Sequence, residues 1–288
     1  MRLGVTGALP RSLGELTPSA IARVREMGFS GTTLPAAESP AEISDRRAGE
    51  VGRMFADAGL DLVEYGRYGT NLVEPDDAGR REQIEGLRQA LRVARAAGCR
   101  TVIAGAGSLN PRGAWLPHPE NRAPATLDRL IASLREAARA AEDASVPLGL
   151  ECHTVTPLWD AATTGRVLDA VGSAWLKVHL DPVNWITFGS VYRTGEATRA
   201  MVETLGRERL LGAHSKGLAL EERLIVHMNE TRTGAPDDLF DHAALLREAA
   251  AMPLDFYVVL EHLSLDQMAP AREHLERVAR EAGLSFER

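Results

Sequence analysis

The strongest constraint on this sequence is an alternation that runs its whole length. Short apolar runs at 3–6, 30–34, 60–65, 100–104, 147–152, 175–180, 210–214 and 256–261 are separated by longer stretches rich in Ala, Arg, Glu and Leu. Short runs of this kind read as buried strands, and the stretches between them as amphipathic helices. A strand–helix–strand order makes neighbouring strands parallel, because the helix carries the chain back across the sheet. Eight such units in 288 residues point to a closed (β/α)8 barrel, which typically takes about 250 residues. The rival is an open doubly wound sheet. It usually carries a glycine-rich phosphate turn after its first strand, whereas Val5-Thr6-Gly7-Ala8-Leu9-Pro10 has one glycine and a proline. The expectation is one barrel domain over 1–288.

Local punctuation agrees. Thr17-Pro18 offers a capping hydroxyl before a proline in the first helical turn, and Ser39-Pro40-Ala41-Glu42 has the form of a capping box. Pro75 and Pro124 also fall at expected helix starts. Gly28, Gly59, Gly98 and Gly283 each follow an amphipathic run, as helix-terminating glycines do. Aromatic residues make up only 5%, so the core must rest on Leu, Val, Ile and Ala, which suits helices on a parallel sheet.

The formal net charge is −7, which argues against a nucleic-acid partner. The cysteines, Cys99 and Cys152, each sit at an apolar run without paired spacing, so buried thiols in a reduced, cytoplasmic setting are expected rather than a disulfide or zinc knuckle. No run approaches the roughly 20 apolar residues of a membrane span, and no signal-peptide pattern follows Met1. A homo-oligomer is left open.

The segments leaving the strands are long, at 105–123, 153–161, 182–195 and 215–237. In a barrel these lie together on the C-terminal rim, where active sites are built. The last four strands also end alike: Leu148-Gly149-Leu150-Glu151, Val178-His179-Leu180-Asp181, Ala213-His214 and Val258-Val259-Leu260-Glu261. An ionisable group after an apolar strand is costly unless it is paired or bound to a metal. Taken singly, a strand-end Glu reads as a loop start or a buried ion pair, and His214 as a satisfied core histidine. The four in succession read as one metal site. Gly149 and Gly212, two residues before Glu151 and His214, would leave room beneath them.

Three carboxylates and an imidazole suit Mn²⁺ best, with Mg²⁺, Co²⁺ or Zn²⁺ as alternatives. An ion so held has positions open to two substrate oxygens, and a chelated hydroxy-carbonyl has a more acidic α C–H. Glu151 and Glu261 would remove and return that proton from opposite faces.

These motifs resemble the xylose isomerase-like barrel superfamily of sugar isomerases and epimerases over essentially the whole chain. Gly149-Leu150-Glu151-Cys152-His153, Leu180-Asp181-Pro182-Val183-Asn184, Ala213-His214-Ser215-Lys216 and Leu260-Glu261-His262 are similar to its four ligand strands. Asn229-Glu230-Thr231-Arg232-Thr233-Gly234 is similar to the segment before its last helix and strand. The resemblance implies metal binding by Glu151, Asp181, His214 and Glu261, with the two glutamates as acid and base. The chain departs from it in having Asn184 where many members have histidine and Gly217 where many have aspartate. Pro157 and Leu158 occupy the region where ketose 3-epimerases carry a further glutamate. Strands two to four end without the histidines of the superfamily's abasic-site endonucleases.

Substrate contacts are expected from His153, Asn184, Lys216, Trp115, Trp185 and Arg232. Lys216 has a solvated-lysine alternative, and the tryptophans, Trp159 included, a loop-packing one. His179 reads as a hydrogen-bonded core histidine, Glu64 as a strand-end residue that either faces the cavity or pairs with Arg67, and 215–237, which carries His227, as a candidate lid. The reading is a divalent-metal-dependent isomerase or epimerase of a ketose, inosose or hydroxy-carbonyl compound that passes through an enediolate. The alternatives are a lyase or dehydratase on the same scaffold, including elimination from a 3-keto-glycoside, and a non-catalytic sugar-binding barrel.

Overall fold

The computed structural model describes residues 1–287. Eight parallel strands close into a barrel: β1 (Arg2–Val5), β2 (Gly31–Thr33), β3 (Asp61–Arg67), β4 (Val102–Gly105), β5 (Leu148–Glu151), β6 (Leu176–Leu180), β7 (Leu210–Ser215) and β10 (Tyr257–Leu260). Each overlaps one of the apolar runs read from the sequence. The barrel closes where β1 pairs with β10, Arg2 opposite Tyr257. Helices α1 (Pro18–Glu26), α2 (Asp45–Asp57), α3 (Asp77–Ala97), α4 (Pro124–Ala144), α5 (Ala161–Val171), α6 (Thr194–Leu205), α7 (His242–Ala250) and α8 (Leu265–Glu281) surround it.

The helix ends follow the local chemistry. Thr17 Oγ1 accepts from the Ala20 amide at 3.2 Å to start α1, and Asp76 accepts from the Gly79 amide at 2.7 Å to start α3. Gly98 ends α3 at φ +69°, a left-handed position that costs glycine least. The Ser39 motif differs from expectation. Pro40–Glu42 is a short 3-10 turn without a side-chain cap, and α2 starts later, capped by Ser44. The capping box stands instead at Ser264 and Gln267, at the start of α8.

Two apolar layers result. The larger lies between strands and helices, and a small one fills the bore, made by Val63, Tyr257 and Val259. At the N-terminal end the Tyr257 hydroxyl donates to Asp61 at 2.8 Å, and Asp61 also pairs with Arg2 at 2.9 Å and Arg100 at 3.3 Å. The space expected beneath the site is filled. A Cβ on Gly212 would stand 2.9 Å from the His179 ring, and one on Gly149 would stand 2.6 Å from Ile103. These glycines admit neighbouring side chains into the bore.

β3 is irregular. Its pairing with β2 slips between Thr32 and Thr33, so that Leu62 and Glu64 pair across the extra residue Val63. A bulge of this kind breaks the two-residue alternation. Val63 packs with Tyr257 and Val259, while the next residue, Glu64, also faces the bore and meets His214.

The segment 215–237 holds an antiparallel ribbon, β8 (Gly217–Leu220) paired with β9 (Met228–Thr231). Its tip exposes Leu224 fully and Ile225 largely. No helix among the described residues is long and apolar enough to cross a membrane. Both cysteines are free and buried.

Candidate metal centre

Glu151 ends β5, Asp181 follows β6, His214 lies near the end of β7 and Glu261 follows β10. These four strands are neighbours in the barrel, so their ends converge on one sector of the rim. One ligand atom from each residue lies within 4.8 Å of the other three, and all four residues are buried. His214 Nδ1 stands 3.4 Å from Glu151 and 3.3 Å from Glu261 and has no hydrogen-bond partner.

The set therefore offers three carboxylates around one unsatisfied imidazole nitrogen. An oxygen-rich set with one imidazole is of the kind that accommodates a divalent cation. Burial alone disfavours an imidazolium at His214. The carboxylates of Glu261, Glu64 and Glu151 overturn that and raise its pKa well above the ordinary value.

The other face of the imidazole is held as well. His214 Nε2 is 3.3 Å from Glu64 Oε1, and Glu64 is fully buried. Burial opposes ionisation of Glu64, but His214 and His179 beside it keep its pKa below the usual carboxylate value. Glu64 thus meets His214 rather than Arg67, whose guanidinium lies over the Tyr65 ring at 5.5 Å. His179 is a core residue as expected, but neither ring nitrogen has a hydrogen-bond partner. Burial, then the charge on His214, pushes its pKa down to about 3.

Lys216 is 2% exposed, not a solvated loop lysine. Its Nζ lies 2.7 Å from Asp181, 2.8 Å from Glu230 and 2.9 Å from Glu261, and donates to Asn184 Oδ1 at 3.0 Å. Burial works against its charge, and the three carboxylates hold its pKa above the ordinary lysine value. Asn184 completes the link by donating to Glu151 Oε1 at 2.9 Å. Glu230 comes from β9 and also accepts from His262 Nδ1 at 2.6 Å. Burial would raise the Glu230 pKa, but His262 and Lys216 bring it down to about 2. His262 adopts φ +55°, a left-handed backbone uncommon outside glycine.

A cavity of about 360 Å³ opens over this set. Glu151, Glu261, Lys216 and Asn184 line it, with His153, Trp115 and Tyr68 on its walls. Burial and the Lys216 charge hold the His153 pKa below its ordinary value. Two residues expected at the substrate stand elsewhere. Trp185 is buried and donates its indole N–H to the Leu158 carbonyl at 2.9 Å, and Arg232 donates to the carbonyls of Thr233 and Gly234. Trp185 ties the segment after β6 to the one after β5, and Arg232 braces its own loop. Trp159 lies under the Arg122 guanidinium, and His227 is exposed beside β9.

Sequence reasoning missed Tyr68, and it did not connect Glu64 to His214. The one signal for Tyr68 was its place just past a strand end, on the rim. A cleft of about 240 Å³ at the opposite end of the barrel reaches Tyr257 and His179 but touches none of the four-residue set. Barrel sites sit at the C-terminal face.

Fold and side-chain geometry define a closed (β/α)8 barrel whose rim gathers a group of residues that could hold a metal ion. The profile of the xylose isomerase-like TIM barrel family matches residues 21–281, and the chain belongs to that family. No curated protein sequence matches it.

Solved structures agree along nearly the full length. A xylose isomerase-like TIM barrel protein from Mycobacterium smegmatis, in complex with magnesium, has a TM-score of 0.68 at 18% identity, covering 98% of this chain and 97% of that one. An L-ribulose 3-epimerase has a TM-score of 0.70 at 20% identity, with coverage of 98% and 97%. A 3-keto-D-glucoside 4-epimerase from E. coli has a TM-score of 0.71 at 15% identity, with coverage of 96% and 98%. At such identities the likeness carries the fold and not the reaction.

Proposed function

We propose that this protein is a divalent-metal-dependent isomerase or epimerase acting on a small sugar-like hydroxy-carbonyl compound. The observation that carries the reading is the convergence of Glu151, Asp181, His214 and Glu261 within 4.8 Å of one another beneath an open cavity. Those four residues would hold the metal, with Mn²⁺ the best match to their oxygen-rich donors. When bound, the ion polarises a carbonyl and acidifies the neighbouring C–H.

The chain's own residues do the rest. Glu151 and Glu261 come from β5 and β10, with β6 and β7 between them, so a substrate over His214 has one carboxylate on each flank. One glutamate takes the α-proton and the other returns it, inverting the carbon or shifting the carbonyl. The Lys216 ammonium, fixed by Asp181, Glu230 and Glu261, opposes the negative charge that develops on the substrate oxygen. His153 and Asn184 offer hydrogen bonds to hydroxyls, and the Trp115 indole closes one wall. Its N–H is committed to the Tyr68 carbonyl at 2.6 Å, so it meets the substrate with its apolar surface.

The test is metal analysis of the purified protein, followed by a ketose and inosose screen in D₂O with and without chelator. Metal-dependent entry of deuterium at the carbon beside the carbonyl, without loss of a leaving group, supports the proposal. Release of water or of an aglycone identifies elimination instead, and no exchange with any substrate refutes proton transfer.

A further inference from the structure

We propose that the barrel holds a second metal ion, a zinc bound inside the bore by Glu64, His179 and His214 Nε2. This site lies beneath the rim set and goes beyond the reading above, with which it shares only His214. All three residues are fully buried, and one ligand atom from each lies within 4.8 Å of the other two.

The strands bring these groups to one tier. His179 precedes Asp181 by two residues on β6, so the alternation of the strand puts it on the same side as Asp181 and one step deeper. Glu64 reaches that depth through the bulge in β3. Gly212 gives the His179 ring its room, since a Cβ there would stand 2.9 Å from it.

Buried polar atoms are nearly always partnered, by protein, by water or by an ion. Glu64 Oε2 and both ring nitrogens of His179 have no hydrogen-bond partner. Glu64 Oε2 stands 3.6 Å from His179 Nε2, and Glu64 Oε1 stands 3.3 Å from His214 Nε2. Ligands about 2.0–2.2 Å from a tetrahedral zinc stand roughly 3.4 Å from one another, which is the spacing of this carboxylate from the two rings. Two imidazoles and one carboxylate are a set that zinc takes, with water in the fourth position. The oxygen-rich rim set favours a harder ion. The inner zinc replaces the proton on His214 Nε2, which leaves to solvent, and the imidazole then serves one ion with each nitrogen.

The cleft at the N-terminal end of the barrel reaches His179 between Val63 and Tyr257, an entry for an ion from the side away from the rim cavity. At about 240 Å³ it is smaller than the roughly 300–1,000 Å³ of small-molecule sites. The inner ion is therefore structural. It ties β3, β6 and β7 together from within and holds the His214 ring from below.

The experiment loads the full chain with Zn²⁺ alone, removes loose metal by gel filtration and counts the bound zinc by mass spectrometry. Wild type should keep two ions per chain and His179→Leu one. Glu64→Gln is the second variant, against a distortion of the bore by leucine, and should also lose the inner ion. Circular dichroism checks that both variants are folded. Crystals of the zinc-loaded wild type, measured at the zinc absorption edge, should show an anomalous peak between Glu64 and His179. A zinc count that is the same in wild type and both folded variants overturns the proposal, as does an anomalous map with zinc at the rim alone. The isomerase reading is tested separately, because proton exchange on a ketose with Mn²⁺ does not depend on the zinc count.

Discussion

Replacing Glu64 should weaken metal binding although Glu64 is outside the four-residue ligand set. Its carboxylate accepts from His214 Nε2 at 3.3 Å in a fully buried setting. That contact fixes the ring orientation and requires the proton on Nε2, leaving Nδ1 free to face Glu151 and Glu261. Loss of such an outer partner costs about 10- to 100-fold in metal affinity, or about 1.4 to 2.8 kcal/mol. Glu64→Gln keeps an acceptor but turns a charge-assisted bond into a neutral one of roughly half the strength, so it belongs at the lower end. Glu64→Ala removes the acceptor and belongs at the upper end. The assay is competition for Mn²⁺ against a chromophoric chelator at fixed pH, with circular dichroism and Tm confirming that both variants are folded. Folded variants that both bind Mn²⁺ within about twofold of wild type would refute the outer-partner argument.

Other expectations follow from the same geometry. Glu261→Gln should lower kcat by about 10²- to 10⁴-fold, the usual worth of an acid–base group, with an unchanged circular dichroism spectrum; wild-type turnover would remove Glu261 from proton transfer. Metal affinity should rise with pH, because the raised pKa of His214 makes a proton compete with the ion for Nδ1. The dependence is about tenfold per unit below that pKa and vanishes above it, with proton release visible in calorimetry across buffers of different ionisation enthalpy. In the metal-free protein the sign is opposite. A raised His214 pKa contributes stability that is fully present below the unfolded histidine value and is lost as pH rises through the folded one. Lys216→Met strips the ammonium from Asp181, Glu230 and Glu261 and should destabilise the metal-free chain by roughly 3–5 kcal/mol. Saturating Mn²⁺ should restore part of the lost Tm, and an unchanged Tm would show that the ammonium is not needed there.

The four converging positions, Glu151, Asp181, His214 and Glu261, were legible because each ends or follows an apolar strand, where an ionisable side chain is costly without an ion or a partner to offset it. Lys216 was placed near His214 by its spacing two residues beyond it, and Asn184 near Asp181 by the resemblance of its strand to the family's. The contact of Glu64 with His214 was hidden by the bulge in β3. A regular two-residue alternation cannot place Val63 and Glu64 on the same face, and nothing in Leu62-Val63-Glu64-Tyr65 announces the extra residue. The ribbon was hidden because its tip, Glu221-Glu222-Arg223-Leu224-Ile225-Val226-His227, lacks the Asn-Gly or Gly-containing turn that signals a hairpin. Without the ribbon, Glu230 had no reason to lie near Lys216. Trp185 and Arg232 sit on the rim as their positions implied, yet the Leu158, Thr233 and Gly234 carbonyls occupy their polar atoms. Which rim side chains a loop turns inward is decided by its own backbone hydrogen bonding, and sequence spacing does not encode that.

The ribbon begins one residue after Lys216 and returns Glu230 to it, while pairing only with itself. Its root is fixed all the same, because Leu218 and Ala219 are buried and the Leu239 amide donates to the Leu218 carbonyl at 2.7 Å. The tip, Glu222 to His227, is exposed throughout, so variation in length or composition is tolerated there and not at the root, as a blade is reshaped while its tang stays seated.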